Sequence, residues 1–299
     1  MFVQVGSIGG VSIVLARELR KLGYDAREYS TSPNIYYAPT VVSRLSLYWI
    51  LLRAQVVHFQ GRWKELPFGI RSSKVVFHYQ GDELRHFRNW KPHKTGALRL
   101  AGSPDLVCGG DFFDKVPGDE LPGLKYFLNP VDLELFKAPQ INDAIQQNEV
   151  PVILHSPENP RRLLKKGTAE IRAYLKTLES QGYKFNYTEF RDVKHKDMPA
   201  LFQSGDIVID QVFGGWHGLV SLEALAIGKP VVADIRWDPK WLHNEDIFFK
   251  LTDIPQMLTD EKFRNSKRQR GIEYVKKYHA PDLVAKKLVE EYKVASLIK

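Results

Sequence analysis

The fold is decided by residues Gly214 to Val232, which read Gly-Gly-Trp-His-Gly-Leu-Val-Ser-Leu-Glu-Ala-Leu-Ala-Ile-Gly-Lys-Pro-Val-Val. The two leading glycines allow the backbone dihedrals of a sharp loop. Residues Gly218 to Ile227 are good helix formers without proline. Gly228 followed by Pro230 is typical of the end of a helix. The stretch therefore predicts a loop, a helix and a following strand.

Short apolar runs on both sides complete a βαβ unit. Pro230 to Ile235 reads as a strand that is buried on both faces, and Asp206 to Asp210 reads as another. In open α/β sheets, ligands bind at the carboxyl ends of the strands. A helix N-terminus there presents unpaired N–H groups that suit a phosphate. The alternative is that the glycines serve only a tight turn, but Glu223 lies close enough to Gly218 to accept hydrogen bonds from a ligand hydroxyl.

The same stretch resembles the donor-binding signature of the retaining, GT-B-fold glycosyltransferases of family 4. That signature is a glutamate, a Gly-aromatic-Gly-Leu loop, a second glutamate, and then Ala-(Met/Leu)-Ala-x-Gly-Lys-Pro-Val-Val. Gly215 stands where the first glutamate belongs, as in a branch of the family with Gly-Trp-(Tyr/His)-Gly. The resemblance implies that Glu223 holds the nucleotide ribose and that loop N–H groups replace the missing carboxylate. The other donor-binding residues that it implies here are Gly215, Trp216, His217, Gly218 and Leu219.

Length and charge limit the classes of protein and partner. The 299 residues are enough for one large or two small domains. Lys and Arg number 43 against 35 Asp and Glu, so the net charge of +8 favours anionic partners such as nucleotide phosphates or anionic lipids. The basic residues are spread along the chain and no nucleic-acid-binding module is recognised, so we expect no nucleic-acid partner. The single cysteine, Cys108, fits a reducing compartment, and no signal peptide is expected; we therefore expect a cytoplasmic protein.

The first domain opens with a strand, a glycine turn and a helix. The strand Phe2 to Val5 precedes Gly9 and Gly10, and apolar residues from Val11 to Leu22 follow at helical spacing. These glycines lack the spacing of a dinucleotide-binding fingerprint. Glycosyltransferases of the resembled family often open with a Gly-Gly-Val turn at the interdomain cleft. The resemblance thus implies that Gly9 and Gly10 contact the donor.

Two predicted strands end in histidines that would point towards the same crevice. One strand ends at His58 and the other at His78, and Gly81, Asp82 and Arg85 follow the second. A lone histidine at a strand end is usually structural, whereas two together indicate a site. The segment resembles the family's His-Gly-x-Asp-x-Arg, whose histidine abuts the transferred sugar. The resemblance implies that His78 and Asp82 are the catalytic candidates, with His58 as the second choice.

Residues Val41 to Leu52 predict an apolar helix that contains arginines. A strand follows at once, which favours packing of the helix against the sheet. The alternative is that the helix lies on a membrane surface, with Tyr48, Trp49 and Leu51 inserted and the arginines at the level of the headgroups. No uncharged apolar run approaches the roughly 18 residues that would span a bilayer. Such contact would therefore be peripheral, at the inner face of the membrane.

A basic cluster follows the first strand of the second domain. Arg161, Arg162, Lys165 and Lys166 lie between the strand Pro151 to His155 and a predicted helix. These charges repel one another unless an anion balances them, and a diphosphate supplies that anion. The alternative is a solvated basic turn. The family resemblance assigns Arg162 and Lys166 to the donor diphosphate.

Domain boundaries come from the turn Leu128 to Phe136, which resembles the family's Asn-(Gly/Pro)-Val-Asp-x-x-x-Phe, and from the polar run that follows it. We expect an acceptor-side domain at 1–137, a nucleotide-sugar domain at 138–280 and a crossover helix at 281–299. In the family, the last helix returns to the first domain.

The sequence as a whole predicts an α/β protein of the GT-B fold, with two Rossmann-like parallel-sheet domains facing across a cleft. The predicted activity is that of a hexosyltransferase-type glycosyltransferase. It would move a sugar from a nucleotide-diphosphate donor to a glycan, lipid-linked or other acceptor, with retention. The resemblance implies no cofactor and no bound metal, because in the family positive side chains and helix dipoles neutralise the diphosphate. Two alternatives stay open: a sugar-nucleotide epimerase, and a non-catalytic nucleotide- or sugar-binding relative, which Gly215 motivates.

Overall fold

The computed structural model describes residues 1–6, 10–31, 37–60, 68–80, 97–103, 107, 121, 123–138, 148–157, 165–236 and 245–299. The chain divides into two compact units: unit 1 is Met1–Pro130 with Tyr278–Lys299, and unit 2 is Val131–Lys277. The division therefore falls after residues 130 and 277. The domain boundaries expected after residues 137 and 280 stay predictions.

Both units consist of parallel strands and helices. In chain order, the strands are β1 (Phe2–Val5), β2 (Ala26–Tyr29), β3 (Val56–Gln60), β4 (Val75–Tyr79), β5 (Leu98–Ala101), β6 (Leu124–Tyr126), β7 (Val152–His155), β8 (Asn186–Glu189), β9 (Ile207–Ile209), β10 (Val231–Val232) and β11 (Phe248–Phe249). The α-helices are α1 (Val11–Lys21), α2 (Arg44–Arg53), α3 (Thr168–Ser180), α4 (Met198–Ser204), α5 (Leu219–Ala226), α6 (Ile254–Thr259), α7 (Glu261–Asn265), α8 (Arg268–Tyr278) and α9 (Pro281–Val294). Single 3-10 turns occur at Ser72–Lys74, His195–Asp197 and Leu251–Asp253.

The sheet of unit 1 has the strand order β2-β1-β3-β4-β5-β6, and its strands are parallel. β1, β3 and β4 are buried along their whole length, which explains their nearly continuous apolar sequences. The chain adds β2 on one side of β1 and then crosses to add β3 on the other. The carboxyl ends of β1 and β3 therefore mark the topological switch point of this sheet.

Helices cover both faces of the first sheet. α1 and α9 contact each other on one face, where the ring of Tyr292 meets the edge of Phe2. α2 lies on the other face and inserts Leu47 and Leu51 into the core that contains Phe59. The predicted return of the C-terminal helix to the first unit is thereby confirmed.

The sheet of unit 2 has the order β11-β10-β9-β7-β8, again with parallel strands. The βαβ unit predicted around Gly214 to Val232 is confirmed as β9, α5 and β10. Helix α5 ends as expected at Gly228, whose φ of 79° suits a residue without a side chain. The switch point of this sheet lies between β7 and β9. The two Rossmann-like sheets and the returning helix confirm the predicted α/β architecture.

Candidate functional site

The site in unit 2 is assembled at the carboxyl ends of β7 and β9. His155 ends β7 and is buried, and its Nδ1–H donates to the carbonyl oxygen of Ile209 over 2.9 Å. Because a carbonyl only accepts, Nε2 is the acceptor nitrogen, and it takes the hydroxyl hydrogen of Thr168 at 2.9 Å. Burial lowers the pKa of His155, which keeps its ring neutral. This histidine joins the two central strands to the first residue of α3.

The basic turn before α3 packs directly on the loop after β9. The N–H groups of Val212 and Phe213 donate to the carbonyl oxygens of Lys166 and Lys165, at 3.2 and 3.1 Å. Gly167 has a φ of 67°, and a Cβ atom there would overlap the Val212 side chain. A glycine is therefore required for this close approach. The predicted diphosphate residue Lys166 thus lies beside the predicted donor loop, whereas Arg162 lies outside the described residues.

Asp210 is the hub of this site. Its carboxylate is completely buried just after β9 and accepts hydrogen bonds from the Gly218 N–H at 2.8 Å and the Ser221 hydroxyl at 2.6 Å. It also forms an ion pair with the Lys166 ammonium. A Cβ atom on Gly218 would come within 2.8 Å of a carboxylate oxygen, so this close contact needs glycine. Asp210 consequently holds the N-terminus of α5 and the basic turn together.

The electrostatics of the hub favour an ionised carboxylate. Burial alone would raise the pKa of Asp210, but the charge of Lys166 and the hydrogen bonds from Lys166, Ser221 and Gly218 together hold it well below its usual range. Asp210 therefore carries a negative charge throughout the neutral range. The charge of Lys166 is balanced from within the protein.

Glu223 lies one turn further along α5 and is also buried. One of its carboxylate oxygens is 2.8 Å from Nε2 of His195, and the ring of His195 lies 5.2 Å from that of Phe136. Burial raises the pKa of Glu223, and the hydrogen bond and charge of His195 oppose that shift, while Asp210 adds to it. Glu223 is therefore a carboxylate held in place by one neighbour, at the edge of the same site.

The loop before α5 separates into a buried part and an accessible part. Gly214 to His217 are buried, whereas Gly218, Leu219 and Val220 are partly exposed. The first hydrogen bond within the helix runs from the Leu222 N–H to the Gly218 carbonyl oxygen. The N–H groups of the residues before Leu222 therefore lie ahead of the hydrogen-bonded turns of α5. The accessible start of α5 is thus the part of the loop that an anion can reach.

Trp216 and His217 lie away from Asp210, in a cavity of about 230 Å³ beside the edge strand β11. The His217 ring stacks on Phe248 at 5.4 Å and meets the edge of Tyr274 at 6.4 Å. The Gln211 side chain donates to the carbonyl oxygen of Trp216 and fixes the loop from inside. The structure therefore places these two rings in a different group from Lys166 and Glu223. Gly215 adopts a φ of 67° within this turn.

A second set of polar groups lies inside unit 1. Burial lowers the pKa of His78 on β4 to about 3, and within the described part of the chain neither ring nitrogen has a hydrogen-bond partner. The ring of His58 lies 5.3 Å away, and its Nδ1 is 2.8 Å from the Tyr292 hydroxyl. Gln4 donates to the same hydroxyl at 3.3 Å and accepts from Gln60 at 3.3 Å. These side chains form a neutral polar layer between the sheet and α9.

The glycine turn after β1 lies at the switch point of this sheet. Gly10 caps α1 with a φ of 69°. A Cβ atom on Gly6 would come within 2.6 Å of the Gln60 carbonyl oxygen, so the turn after β1 passes close to the end of β3. Gly9 and Asp82, which the sequence also predicts as site residues, lie outside the described residues.

Several residues at these sites were not predicted from the sequence. Asp210 pairs with Lys166, which is 44 positions away in the sequence, and His195 pairs with Glu223, which is 28 positions away. Tyr292 pairs with His58 over 234 positions. Only Asp210 carried a signal, because an acidic residue ending a buried apolar strand needs a partner. The others are recognisable only once the fold is known.

No known family model and no curated protein matches this sequence. Solved structures, in contrast, match it over almost its whole length. The match to a glycosyltransferase from Rickettsia africae ESF-5 has a TM-score of 0.64 at 15% identity, and it covers 99% of this chain and 98% of that chain. The catalytic domain of starch synthase IV from Arabidopsis thaliana, bound to ADP and acarbose, has a TM-score of 0.62 at 14% identity and covers 99% of both chains.

A UDP-GlcNAc 2-epimerase from Neisseria meningitidis, bound to UDP-GlcNAc, also matches, with a TM-score of 0.54 at 13% identity over 97% of this chain and 98% of that one. At such identities the likeness concerns the fold. This chain therefore has the GT-B fold, which glycosyltransferases share with a sugar-nucleotide epimerase.

Proposed function

We propose that this protein is a glycosyltransferase that takes a sugar from a nucleotide-diphosphate donor. The observation that carries the proposal is the convergence of Lys166, the accessible N-terminus of α5 and Glu223 at the switch point of the second sheet. A cation and helix N–H groups suit a diphosphate, and a buried carboxylate suits a pair of hydroxyls. The solved structures with nucleotides or nucleotide sugars in the same fold support this choice.

The donor diphosphate would lie against the partly exposed start of α5. In this position it meets the positive end of the helix dipole, and Lys166 is a basic side chain on the neighbouring turn. Asp210 orients the Lys166 ammonium and balances its charge. A bound phosphate would therefore contact an ammonium group that also pairs with Asp210. The family resemblance adds Arg162 as the second cation. The Gly218 N–H already donates to Asp210, so other backbone N–H groups of the Gly214–Leu219 loop would replace the glutamate whose position Gly215 occupies.

The ribose would be held by Glu223. His195 fixes one carboxylate oxygen at 2.8 Å, which leaves the other available for a hydroxyl. Because burial and a nearby negative charge both raise the pKa of Glu223, a hydroxyl donor at this position would relieve part of the desolvation cost. We assign recognition of the ribose to this pair.

The transferred sugar and the acceptor would use unit 1. By the family resemblance, His78 would contact the transferred sugar, and its ring is neutral and would add no charge there. Asp82, Gly9 and Gly10 complete the proposed catalytic and donor contacts on the strength of the family resemblance. By the same resemblance, transfer would retain the anomeric configuration without a protein nucleophile, cofactor or metal. A saccharide or a lipid-linked molecule would be the acceptor.

Calorimetric titration with UDP, GDP and ADP tests the donor site. We expect one of them to bind the wild type in the micromolar range, and we expect the double variant Lys166→Met/Asp210→Asn to bind it at least about tenfold more weakly. The double replacement removes both charges together and so leaves no unpaired buried carboxylate. Lys176→Ala, at an exposed position of α3, is the matched control and should bind like the wild type. Failure of all three nucleotides to bind would overturn the proposal.

The non-catalytic alternative is favoured by Gly215, because the family's sugar-contacting glutamate is missing. Incubation of the protein with the nucleotide sugar that it binds separates the possibilities. A transferase releases the nucleoside diphosphate in the presence of an acceptor, and Glu223→Gln reduces that release. An epimerase instead interconverts the donor sugar without acceptor. Tight nucleotide binding without either product would favour the non-catalytic relative.

A further inference from the structure

A surface of unit 1 combines exposed apolar side chains with unpaired positive charge. We define the α2 surface as Val41, Leu45, Trp49 and Phe68 together with Arg44, Arg53 and Arg71. The apolar members are 50%, 68%, 52% and 91% exposed, in that order. Large exposed apolar side chains that cluster in this way mark interaction sites rather than ordinary surface.

The spacing along α2 explains why these side chains share one side. Leu45 and Trp49 are four residues apart, which places them above one another along α2, and Val41 precedes the Ser43 cap of that helix. Leu47 and Leu51, on the opposite side, are buried in the core of unit 1. The sequence-based alternative of a membrane-surface helix placed Leu51 in the membrane, and its burial corrects that detail. The helix is therefore apolar on its inner and outer sides.

Phe68 extends the surface beyond the helix. It precedes Gly69, and a Cβ atom on Gly69 would lie 3.5 Å from the Leu52 side chain and 3.7 Å from the Tyr48 hydroxyl. This turn consequently packs against the C-terminal half of α2. The most exposed aromatic ring of the surface is thus next to the helix that carries Leu45 and Trp49.

Side chains cap both ends of α2 and so fix where the helix begins and ends. Ser43 caps its N-terminus by accepting a hydrogen bond from the Ser46 N–H at 3.0 Å. Lys74 caps its C-terminus by donating to the carbonyl oxygens of Leu51, Leu52 and Ala54 at 2.9, 3.1 and 2.9 Å. These caps satisfy backbone groups at both ends and leave the outer side free to contact a partner.

The charge of the α2 surface has one sign. Residues 37–60 and 68–80 contain no Asp or Glu, whereas Arg44, Arg53 and Arg71 are exposed. Where the structure describes both partners, none of the ion pairs includes these three arginines. Their charge is therefore available to an external anion.

We propose that the α2 surface docks unit 1 onto an anionic lipid bilayer. The indole of Trp49 and the side chains of Leu45 and Phe68 would enter the interfacial layer, and Arg44 and Arg53 would contact lipid phosphates. No helix within the described residues is long and apolar enough to cross a membrane, so the contact is peripheral. This inference does not depend on the proposed transferase activity.

Charge complementarity favours the bilayer over a second copy of this chain. In a symmetric dimer through this surface, each copy would bring its arginines close to those of the other, without carboxylates from the same segments to balance them. An anionic bilayer supplies phosphates to those arginines and an apolar layer to Leu45 and Trp49 together.

Flotation with phosphatidylcholine vesicles, with and without phosphatidylglycerol, tests the proposal. We expect the wild type to float with the anionic vesicles only, and to be released by high salt because the arginines carry the attraction. Leu45→Ser/Trp49→Ser and Arg44→Glu/Arg53→Glu should each reduce binding about tenfold or more. Val294→Ser is the matched control, since this exposed side chain lies on α9, and it should float like the wild type.

Two results would overturn the proposal. One is a wild type that stays with the unbound fraction at low salt, and the other is equal flotation of the α2-surface variants and the Val294→Ser control. Analytical ultracentrifugation without lipid gives an independent check. A dimer that dissociates on Leu45→Ser/Trp49→Ser would assign the surface to a second copy of the chain instead. All substituted side chains are exposed, so loss of folding is not expected and circular dichroism checks it.

Discussion

Unit 1 and unit 2 both bury polar side chains under the carboxyl ends of a parallel sheet, but they differ in charge. The layer in unit 1 consists of amides, imidazoles and a phenol: Gln4, His58, Gln60, His78 and Tyr292. The corresponding region of unit 2 holds two carboxylates, Asp210 and Glu223, with Lys166 and His195 as their partners. The same topology thus carries a neutral layer in one unit and an ionic one in the other.

The difference distinguishes a site that a ligand can reach from a polar layer inside the protein. An ionic site with a helix N-terminus can receive a diphosphate and ribose hydroxyls. The neutral polar layer of unit 1 is buried beneath α9, and its hydrogen bonds to Tyr292 join the sheet to that helix. The proposed transfer of a sugar from a nucleotide diphosphate would use the ionic site of unit 2 for the nucleotide.

The largest expected effect comes from removing the buried charge of unit 2. Asp210→Ala leaves Lys166, Ser221 and the start of α5 without their shared acceptor, so we expect a loss of about 3–5 kcal/mol in the free energy of unfolding. Urea unfolding measures the loss, and hydrogen exchange should locate it in unit 2. Lys166→Met/Asp210→Asn should be much less destabilised because no buried charge remains unpaired. A cost of Asp210→Ala no greater than that of a surface substitution would contradict the role of Asp210 as the hub.

An intermediate effect for each residue is expected from acidification of unit 1. Burial lowers the pKa of His78 to about 3 and that of His279 to about 4, and it also places the pKa of His58 well below 6.5. The unfolded chain therefore binds protons first as the pH falls below 6.5. Each histidine should then lower the free energy of unfolding by up to about 1.4 kcal/mol per pH unit.

Urea unfolding at pH 7, 6 and 5 measures this slope. His155 in unit 2 is also buried, with a lowered pKa, and contributes with the same sign. His78→Gln isolates one contribution in unit 1 and should flatten the slope. A wild-type stability that does not change between pH 7 and 5 would show that these imidazoles are not held neutral by burial.

The smallest effect is expected where α9 meets the first sheet. Tyr292→Phe removes the hydroxyl shared by His58 and Gln4, which should cost about 1–3 kcal/mol because buried polar groups lose a partner. Lys125→Ala removes an exposed ion pair to Glu291 on the same helix and should cost about 1 kcal/mol or less. Hydrogen exchange of α9 compares the two variants directly. A larger loss of protection for Lys125→Ala would mean that surface charge, rather than the buried hydroxyl, holds the helix.

Much of this architecture could be predicted from the order of residues. β9, α5 and β10 follow from a buried apolar run, a glycine loop, a helical stretch and the Gly228 stop, because each of these signals acts locally. The short strands β5, β6 and β11 were not predicted. Their two to four residues are too few to show a period, and their pairing is decided by neighbours that are distant in sequence.

The candidate site was predicted less completely, because its partners are distant in sequence. The cluster around Lys166 was interpreted as requiring an external anion, and the structure shows that the protein supplies part of that anion through Asp210. Trp216 and His217 were expected to face the donor. Their rings lie in a cavity beside β11, and a direct role for them stays a prediction. Local sequence predicts which residues can act chemically, whereas the fold decides which of them meet.

We propose that Lys166 binds the donor diphosphate and that Glu223 binds the ribose. The most direct test is a calorimetric cycle in which the best-binding nucleotide is shortened from diphosphate to monophosphate to nucleoside and is also supplied as its 2′- and 3′-deoxy forms. We predict that Lys166→Met/Asp210→Asn weakens binding of the diphosphate at least about tenfold more than that of the nucleoside. Glu223→Gln should reduce the affinity for the ribonucleotides by the same factor whatever the number of phosphates. The reduced affinity should be close to that of the wild type for a deoxy form. If both variants lost the same affinity for every member of both series, the two assignments would be contradicted.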